Sequence, residues 1–492
     1  MTLVHRVLSP TPVASLEEYL RVRLGGGLAV ARGMSADEII SAIEASGLRG
    51  RGGAGFPTGR KWRTVRDYAS GSVRTSVVVN AAEGEPGTFK DRTILRNDPY
   101  QVLEGALIAA RVVDADQVVI ATKQSFGVEV ERLRSAIGEV DRAGWCDGVE
   151  LSIFEGPNEY LYGEETAMLE VLDGRYPFPR IAPPYRRGVR EVVESAADVD
   201  TDSGLSAHVE MAGPGEDTEA PPTLVDNVET LANVARIVAR GAEWFRTEGT
   251  SESPGTIVCT VTGSTVRSGV GEVMMGTPLG DVIEAIGGGA RPGRRITAVL
   301  PGVSNAFIDG TALDTPVSYE SLAAIGSGLG SGSFAVFDDT DDLVAVAAGV
   351  SRFLAVESCG QCSPCKLDGL RIAQLLEATA HSEAEAHDLA ELRARVATVA
   401  DSARCSLGIQ QQIVATSLLE HFSDHVDAHF DGRAKAAPPR AVAELVEIVD
   451  GVARIDEHHA DKQPDWTYDK VDSGKLPAAR LGEHRDPQTL DE

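Results

Sequence analysis

Nowhere in its 492 residues does the chain hold an apolar run of the roughly 20 residues that a bilayer-crossing helix needs, so no membrane span is expected. The first ten residues, Met1 to Pro10, lack a sustained apolar core and a small-residue cleavage site, and no export signal is read there. Cysteine is scarce: six residues are too few for a disulfide scaffold in a chain this long and fit a reducing cytosol. Basic residues are also short, 46 against 74 acidic ones, for a formal net charge of −28. A field of that sign repels nucleic acid and anionic membrane surfaces unless a local patch overrides it. Internal repeats, low-complexity tracts and long heptad runs are missing too. What remains is the composition of an ordinary soluble protein, long enough for two to four domains with substantial cores.

Four of the few cysteines are grouped. Cys359, Cys362 and Cys365 lie in Ser358-Cys359-Gly360-Gln361-Cys362-Ser363-Pro364-Cys365, and Cys405 stands alone further on. A Cys-x-x-Cys-x-x-Cys loop supplies three thiolates to a [4Fe–4S] cube from one short wrap, and a distant segment supplies the fourth. Gly360 and Pro364 suit the turning backbone. Structural zinc is the competing reading, although it usually draws its thiolates from two Cys-x-x-Cys pairs. Cys259, in the apolar run 256–261, and Cys146, beside Trp145, read as packing residues.

In so acidic a chain one segment stands out. Between Glu44 and Asp67 there is no acidic residue, yet Arg49, Arg51, Arg60, Lys61, Arg63 and Arg66 are there. They surround a glycine-rich stretch, residues 47–59, whose missing side chains let backbone N–H groups come close to phosphate oxygens. Gly50, Gly52 and Gly55 spell G-x-G-x-x-G, but residues 36–45 have the periodicity of an amphipathic helix ending at Gly47, not of the strand that the dinucleotide fingerprint requires. A surface loop with solvated arginines is the alternative.

Downstream, strand-like runs at 76–80, 117–121 and 149–154 alternate with helical patterns near 100–112 and 126–139, which predicts an α/β sheet. The first strand feeds Asn80-Ala81-Ala82-Glu83-Gly84-Glu85, at the strand end where α/β proteins hold ligands. Glu164-Glu165 opens a predicted helix after Gly163; taken alone, that pair would only complement the helix dipole.

Residues 47–62, 80–92, 160–167, 225–234 and 357–365 together, in order across about 15–430, closely resemble the flavoprotein subunit of respiratory complex I and the diaphorase subunits of NAD-reducing hydrogenases and NAD-dependent formate dehydrogenases. The resemblance implies three cofactors: FMN, NAD(H) and a [4Fe–4S] cluster on Cys359, Cys362, Cys365 and Cys405. It implies flavin contacts at Gly50, Arg51, Gly52, Gly53, Lys61, Asn80, Glu83, Tyr160, Gly163, Glu164, Asn227 and Thr230. Phe56, Glu85, Glu165 and Tyr185 would lie near the nicotinamide nucleotide, with Glu85 and Glu165 as the catalytic-site residues. Hydride transfer is the cofactors' own chemistry, so these side chains position and tune rather than form an acid–base dyad.

The architecture implied is a Rossmann-like FMN/NADH domain over 41–250 with an acidic insertion at 191–220, a ubiquitin-like (SLBB) domain over 251–335, and a helical bundle carrying the cluster over 336–432. An N-terminal extension, 1–40, and a C-terminal extension, 433–492, frame them. The C-terminal one is read as a hairpin around Asp450-Gly451 that wraps a partner or the same subunit. On the flavin side Ala82 replaces a usual aspartate and Asp226 a usual asparagine, which bears on flavin affinity and potential; on the nucleotide side Thr64 replaces an aromatic and Ala182 a lysine, so the resemblance carries least there. Tyr185-Arg186-Arg187 raises NADPH acceptance beside the NADH default, because paired guanidinium groups match a 2′-phosphate. The expected partners are a thioredoxin-like [2Fe–2S] subunit, a multi-cluster or a molybdenum-containing catalytic subunit. The expected setting is cytoplasmic, and the alternative function is a non-catalytic relay or scaffold with lost nucleotide binding.

Overall fold

Ser76–Asn80 carries three consecutive valines buried on both faces, the pattern of a strand covered on either side by helices. In the computed structural model, which describes residues 3–22, 26–69, 74–181, 190–193, 207–210 and 222–464, this segment is strand β1. It is followed by β2 (Gln117–Lys123), β3 (Glu150–Gly156), the short strands β4 (Arg190–Val193) and β5 (Ala207–Glu210), and β6 (Thr223–Asn227). β3, β2, β1 and β6 form one sheet in that order, every neighbouring pair parallel. The α/β fold expected from the alternating pattern is therefore present. The helix Pro99–Val113, started by proline and ended by Asp114 in the left-handed region (φ 54°), is buried along almost its whole length. It packs against the helix Val228–Arg240. Because the strands are parallel, Asn80 and Asn227 finish side by side at the C-terminal edge of the sheet.

A second sheet follows: β7 (Thr256–Gly263), β8 (Gly269–Met274), β9 (Ile296–Leu300), β10 (Ile308–Asp309) and β11 (Ser333–Asp338). Its order is β10-β9-β11-β7-β8, with β11 and β7 parallel at the centre and the outer pairs antiparallel. Cys259 is fully buried in β7, as its apolar run suggested. Five helices come next: Leu343–Glu357, Ser363–Ala380, Ala386–Thr398, Leu407–His421 and Ser423–Phe430. Leu343–Glu357 is buried nearly throughout and starts under a cap from Asp342, which accepts from the N–H groups of Val344 and Ala345. Among the described residues no helix is long and apolar enough to cross a membrane.

The tail turns back over its own chain. β12 (Leu445–Val449) and β13 (Val452–Ile455) pair around Asp450 (φ 50°) and Gly451 (φ 78°), the two left-handed residues that a tight hairpin turn demands. The Arg440 N–H donates to the Ala345 carbonyl, and the tail passes Gly349 so closely that a Cβ there would stand 1.8 Å from the Arg440 oxygen. Further on, Arg352 holds the carbonyls of His459, Ala460 and Lys462. β4 and β5 pair antiparallel within the acidic insertion; the rest of 191–220, together with Ala182, Tyr185, Arg186 and Arg187, lies outside the described residues.

Candidate functional site

The glycine-rich loop follows the helix Ala36–Ser46, which Gly47 ends in the left-handed region, and precedes the helix Thr58–Asp67. It is thus a helix-to-helix turn, as the periodicity indicated. Its base is closed by the Gly50 N–H on the Phe56 carbonyl (2.8 Å) and the Thr58 N–H on the Leu48 carbonyl (3.0 Å). Gly53 has φ 127°, and a Cβ there would meet nothing within 4 Å, so one side of the loop faces open space. At Gly52 a Cβ would come within 3.2 Å of the Asn227 side chain. The Arg51 N–H donates to Thr230 Oγ1 (2.9 Å), but its guanidinium turns inward, onto the carbonyls of Arg49 and Thr256 (3.1 Å each) and Pro254 (3.3 Å). Phe56 is exposed at the loop's rim, under the guanidinium of Arg60.

The remaining polar candidates sit at the sheet's C-terminal edge. Lys61 reaches from the helix after the loop to Glu165 and to the Val225 carbonyl (2.6 Å). Desolvation lowers its pKa, opposed by the charge of Asp226. Asn80 Nδ2 donates to the Gly163 carbonyl (2.8 Å). Glu83 caps the helix Lys90–Asn97, accepting from the Asp91 N–H (3.0 Å) and from Arg92 Nε (3.0 Å). Glu85 joins the two sheet regions, taking the hydroxyls of Ser304 and Ser331 (2.7 Å each) and the Val303 N–H (3.2 Å). Desolvation raises its pKa, although those donors work against the shift. Glu164 caps the helix Glu165–Leu172 through Ala167 N–H (2.8 Å) and the Thr166 hydroxyl (2.6 Å), so one member of the acidic pair serves the helix end while Glu165 faces Lys61. Asn227 caps the helix Val228–Arg240 and bonds Asp91 Oδ2 through its amide (2.7 Å).

Several supporting residues escaped sequence reasoning. Lys90, fully buried, stands between Asp91 (2.7 Å) and Glu229 (3.0 Å), and Glu229 also lies 4.0 Å from Arg51. Burial pushes Asp91 up to about 6, even with the ammonium beside it. Lys90 and Asp91 belong to the same 80–92 motif as Glu83, a signal that was available. Tyr319 gave none: it arrives from the second sheet region, donates its hydroxyl to the Gly50 carbonyl (2.8 Å) and packs its ring under Arg49 (4.0 Å). A Cβ on Gly55 would stand 2.4 Å from that ring. Asp226, the departure from the usual asparagine, accepts the Trp62 indole N–H (2.6 Å), and desolvation raises its pKa.

Cys359, Cys362, Cys365 and Cys405 line a single cavity with Leu161, Pro179 and Arg404, and none of the six cysteines is in a disulfide. Cys362 precedes the helix Ser363–Ala380 and Cys365 sits in its first turn, while Cys405 lies just ahead of the helix Leu407–His421. Gly360 takes φ 75° in the connecting wrap. N–H donors already point at sulfur: Gln361 Nε2 to Cys359 (3.3 Å) and the Arg404 N–H to Cys362 (3.4 Å). Burial pushes the Cys365 thiol up to about 11, a cost that metal ligation of the thiolate removes. Four sulfur atoms around one apolar cavity, with amide donors beside them, fit an iron–sulfur cube. The cysteine cavity and the C-terminal edge of the first sheet share a wall: in the segment 160–164, Gly163 bonds Asn80 while Leu161 lines the cavity. Tyr160 bonds Gln410 through its hydroxyl (3.2 Å) and Glu357 through its N–H (3.0 Å), and desolvation drives its pKa well above the ordinary value.

Comparison with known proteins agrees with this geometry. The family model of the Nuo51 FMN-binding domain matches residues 43–236, and that of the NADH-ubiquinone oxidoreductase-F iron-sulfur binding region matches 345–429, which sets structural zinc aside. The chain is 35% identical over 410 residues to the NADH-quinone oxidoreductase F 2 subunit of Rhizobium meliloti (strain 1021), covering 81% of this chain and 90% of that one. It is 32% identical to the NADP-reducing hydrogenase subunit HndC of Solidesulfovibrio fructosivorans, covering 85% and 81%. A chain of the NAD+-reducing [NiFe]-hydrogenase crystal structure in the H2-reduced state superposes with a TM-score of 0.71 at 31% identity, covering 87% of this chain and 68% of that one. With these matches over most of its length, the chain belongs to the family of NADH-quinone oxidoreductase F subunits.

Proposed function

We propose that the chain is an oxidoreductase subunit that exchanges a hydride between NAD(H) and FMN and passes single electrons through one [4Fe–4S] cluster to or from partner subunits. The observation that carries this reading is the shared wall: one short segment, 160–164, touches both the Asn80 side of the flavin cleft and the cysteine cavity. When bound, FMN supplies two-electron chemistry with the nicotinamide and the cluster supplies one-electron steps.

The chain's own residues bind and orient. The open side of the loop at Gly53, with Lys61 across the cleft, would take the flavin phosphate; Gly50 and Gly52 keep the backbone close, and Arg51 contributes by anchoring the loop from behind. Asn80, Glu83, Gly163, Glu164, Asn227 and Thr230 would shape the floor, and Tyr160 the wall toward the cluster. Glu85 and Glu165, with Phe56 at the rim, would hold and orient the nicotinamide nucleotide; Tyr185 is proposed for the adenosine end, from the resemblance alone. Glu165 now occupies Lys61, so nucleotide and flavin binding would redistribute that ion pair.

The second sheet's order, with its parallel central pair, supports a ubiquitin-like domain at 251–335. The five helices around the cysteines support a cluster domain at 336–432 between it and the extension 433–492. The α/β unit 41–250 and the N-terminal extension 1–40 complete the proposed division. No other described cysteines group as a second cluster, so the next carrier would be a separate subunit: a thioredoxin-like [2Fe–2S] protein, or a multi-cluster or molybdenum-containing catalytic subunit in a cytoplasmic complex. The test is direct. Purified protein should contain FMN, iron and acid-labile sulfide and reduce ferricyanide with NADH. Protein holding the cluster but neither FMN nor dye reductase activity would instead be a relay or scaffold.

A further inference from the structure

Two cations are buried beneath the proposed flavin cleft, and their shared counter-charge comes from the far end of the chain. Lys123, the last residue of β2, is fully buried; a Cβ on Gly84 in the Asn80–Glu85 loop would stand 2.5 Å from its Nζ. Arg92 is buried as well and holds Glu83. Glu444, in the tail, pairs with Lys123 and lies 3.7 Å from Arg92 Nη1. The neighbouring Leu445 carbonyl accepts from the same guanidinium. Among the described residues Lys123 otherwise has the Asn158 carbonyl (3.2 Å), a dipole and not a charge. The tail is fixed in this place by the Asp456 N–H on the Glu444 carbonyl (2.9 Å) and the Ser268 N–H on the Gly451 carbonyl (2.6 Å). Both matched family regions end before this segment, the later one at residue 429.

We propose that Glu444 is a positioning residue for the flavin: a carboxylate delivered by the tail that neutralises Lys123 under the Asn80–Glu85 loop, as Glu83 neutralises Arg92, and thereby keeps the flavin's midpoint potential low. The inference rests on the reading that this cleft holds FMN. Its physics is simple. In a low-dielectric setting an uncompensated cation stabilises added negative charge strongly, and reduced flavin carries more of it than oxidised flavin. Taking away Glu444 exposes the flavin to the field of Lys123; taking away Lys123 leaves it the carboxylate.

The test is an equilibrium redox titration of the full chain loaded with FMN and cluster. Glu444→Gln should raise the flavin's midpoint potential by about 30 mV or more, a tenfold change in the reduced-to-oxidised ratio for a two-electron couple. Lys123→Met should lower it. Glu447→Gln, which removes a more exposed carboxylate 3.8 Å from Arg96, should leave it unchanged. An unshifted Glu444→Gln, an equal shift in Glu447→Gln, or a rise in Lys123→Met would overturn the proposal. If Glu444→Gln does not accumulate folded, Lys123→Met decides alone, since an unmoved or raised potential refutes the field argument. Wild-type protein without FMN would refute the reading of the cleft itself, a failure distinct from a wrong sign pattern in loaded protein.

Discussion

Tyr319 offers the sharpest test of how the loop is held. Its hydroxyl donates to the Gly50 carbonyl at 2.8 Å, and its ring carries Arg49 at 4.0 Å and packs against Gly55. Tyr319→Phe removes one neutral hydrogen bond to a half-buried carbonyl, worth about 0.5–1.5 kcal/mol. If that energy is spent on loop order needed for binding, FMN should dissociate about two- to twelvefold more readily. Tyr319→Ala also deletes a ring that is only 9% exposed, a truncation of about 3–5 kcal/mol, of which the cation–π contact accounts for about 0.5–2. Flavin fluorescence quenching on the apoprotein gives the affinity, and thermal unfolding followed by circular dichroism gives the stability. Affinity should fall in a graded way, with Tyr319→Phe keeping a near-normal melting curve. A Tyr319→Ala protein that melts early yet binds FMN as tightly as wild type would show that the residue serves only the core of its own sheet.

Three further outcomes are expected. Cys362→Ala should abolish the EPR signal of the reduced cluster while FMN stays bound and NADH-dependent dye reduction survives; a retained signal would refute its ligand role. Gly53→Ala, strained at φ 127° by about 1–3 kcal/mol, should lower flavin occupancy more than its cost in stability explains, because the new Cβ enters the open side of the loop, and full occupancy in the acid extract would count against a phosphate there. Asp91 binds its proton more tightly folded, at about 6, than unfolded, at 3.8, so its contribution makes stability fall as pH rises through that window; denaturant unfolding of Asp91→Asn should show a pH slope of stability that is more positive there than in wild type, and an unchanged slope would place the titration elsewhere.

Much of this was legible in the sequence because it is local. Valine runs announced β1, the isoleucine periodicity announced the helix ending at Gly47, and the cysteine spacing announced a cavity lined by four thiols. Asn80 and Asn227 could be chosen singly, but only the parallel register of β1 and β6 puts them side by side. Side-chain direction was the harder quantity. Within a basic island Arg51 reads as an anion ligand, whereas carbonyls at 254 and 256 and the Glu229 carboxylate draw its guanidinium into the protein. Partners separated by hundreds of residues, such as Lys123 with Glu444 or Gly50 with Tyr319, leave no periodic trace. Their pairing is a property of the assembled sheets and not of any segment.

The reach of Tyr319 also has a consequence for biosynthesis. The loop at 47–59 leaves the ribosome early, but the ring that supports it is translated about 260 residues later, roughly 13–50 seconds at ordinary elongation rates. The first α/β unit can gather its strands in that interval, since β1, β2, β3 and β6 are complete by residue 227. Its glycine-rich turn still lacks the Tyr319 hydroxyl on the Gly50 carbonyl and the ring against Gly55. If the loop holds FMN, a truncated chain ending near residue 250 should emerge folded in outline and bind the flavin more weakly than the full chain, the deficit being at least that of Tyr319→Ala.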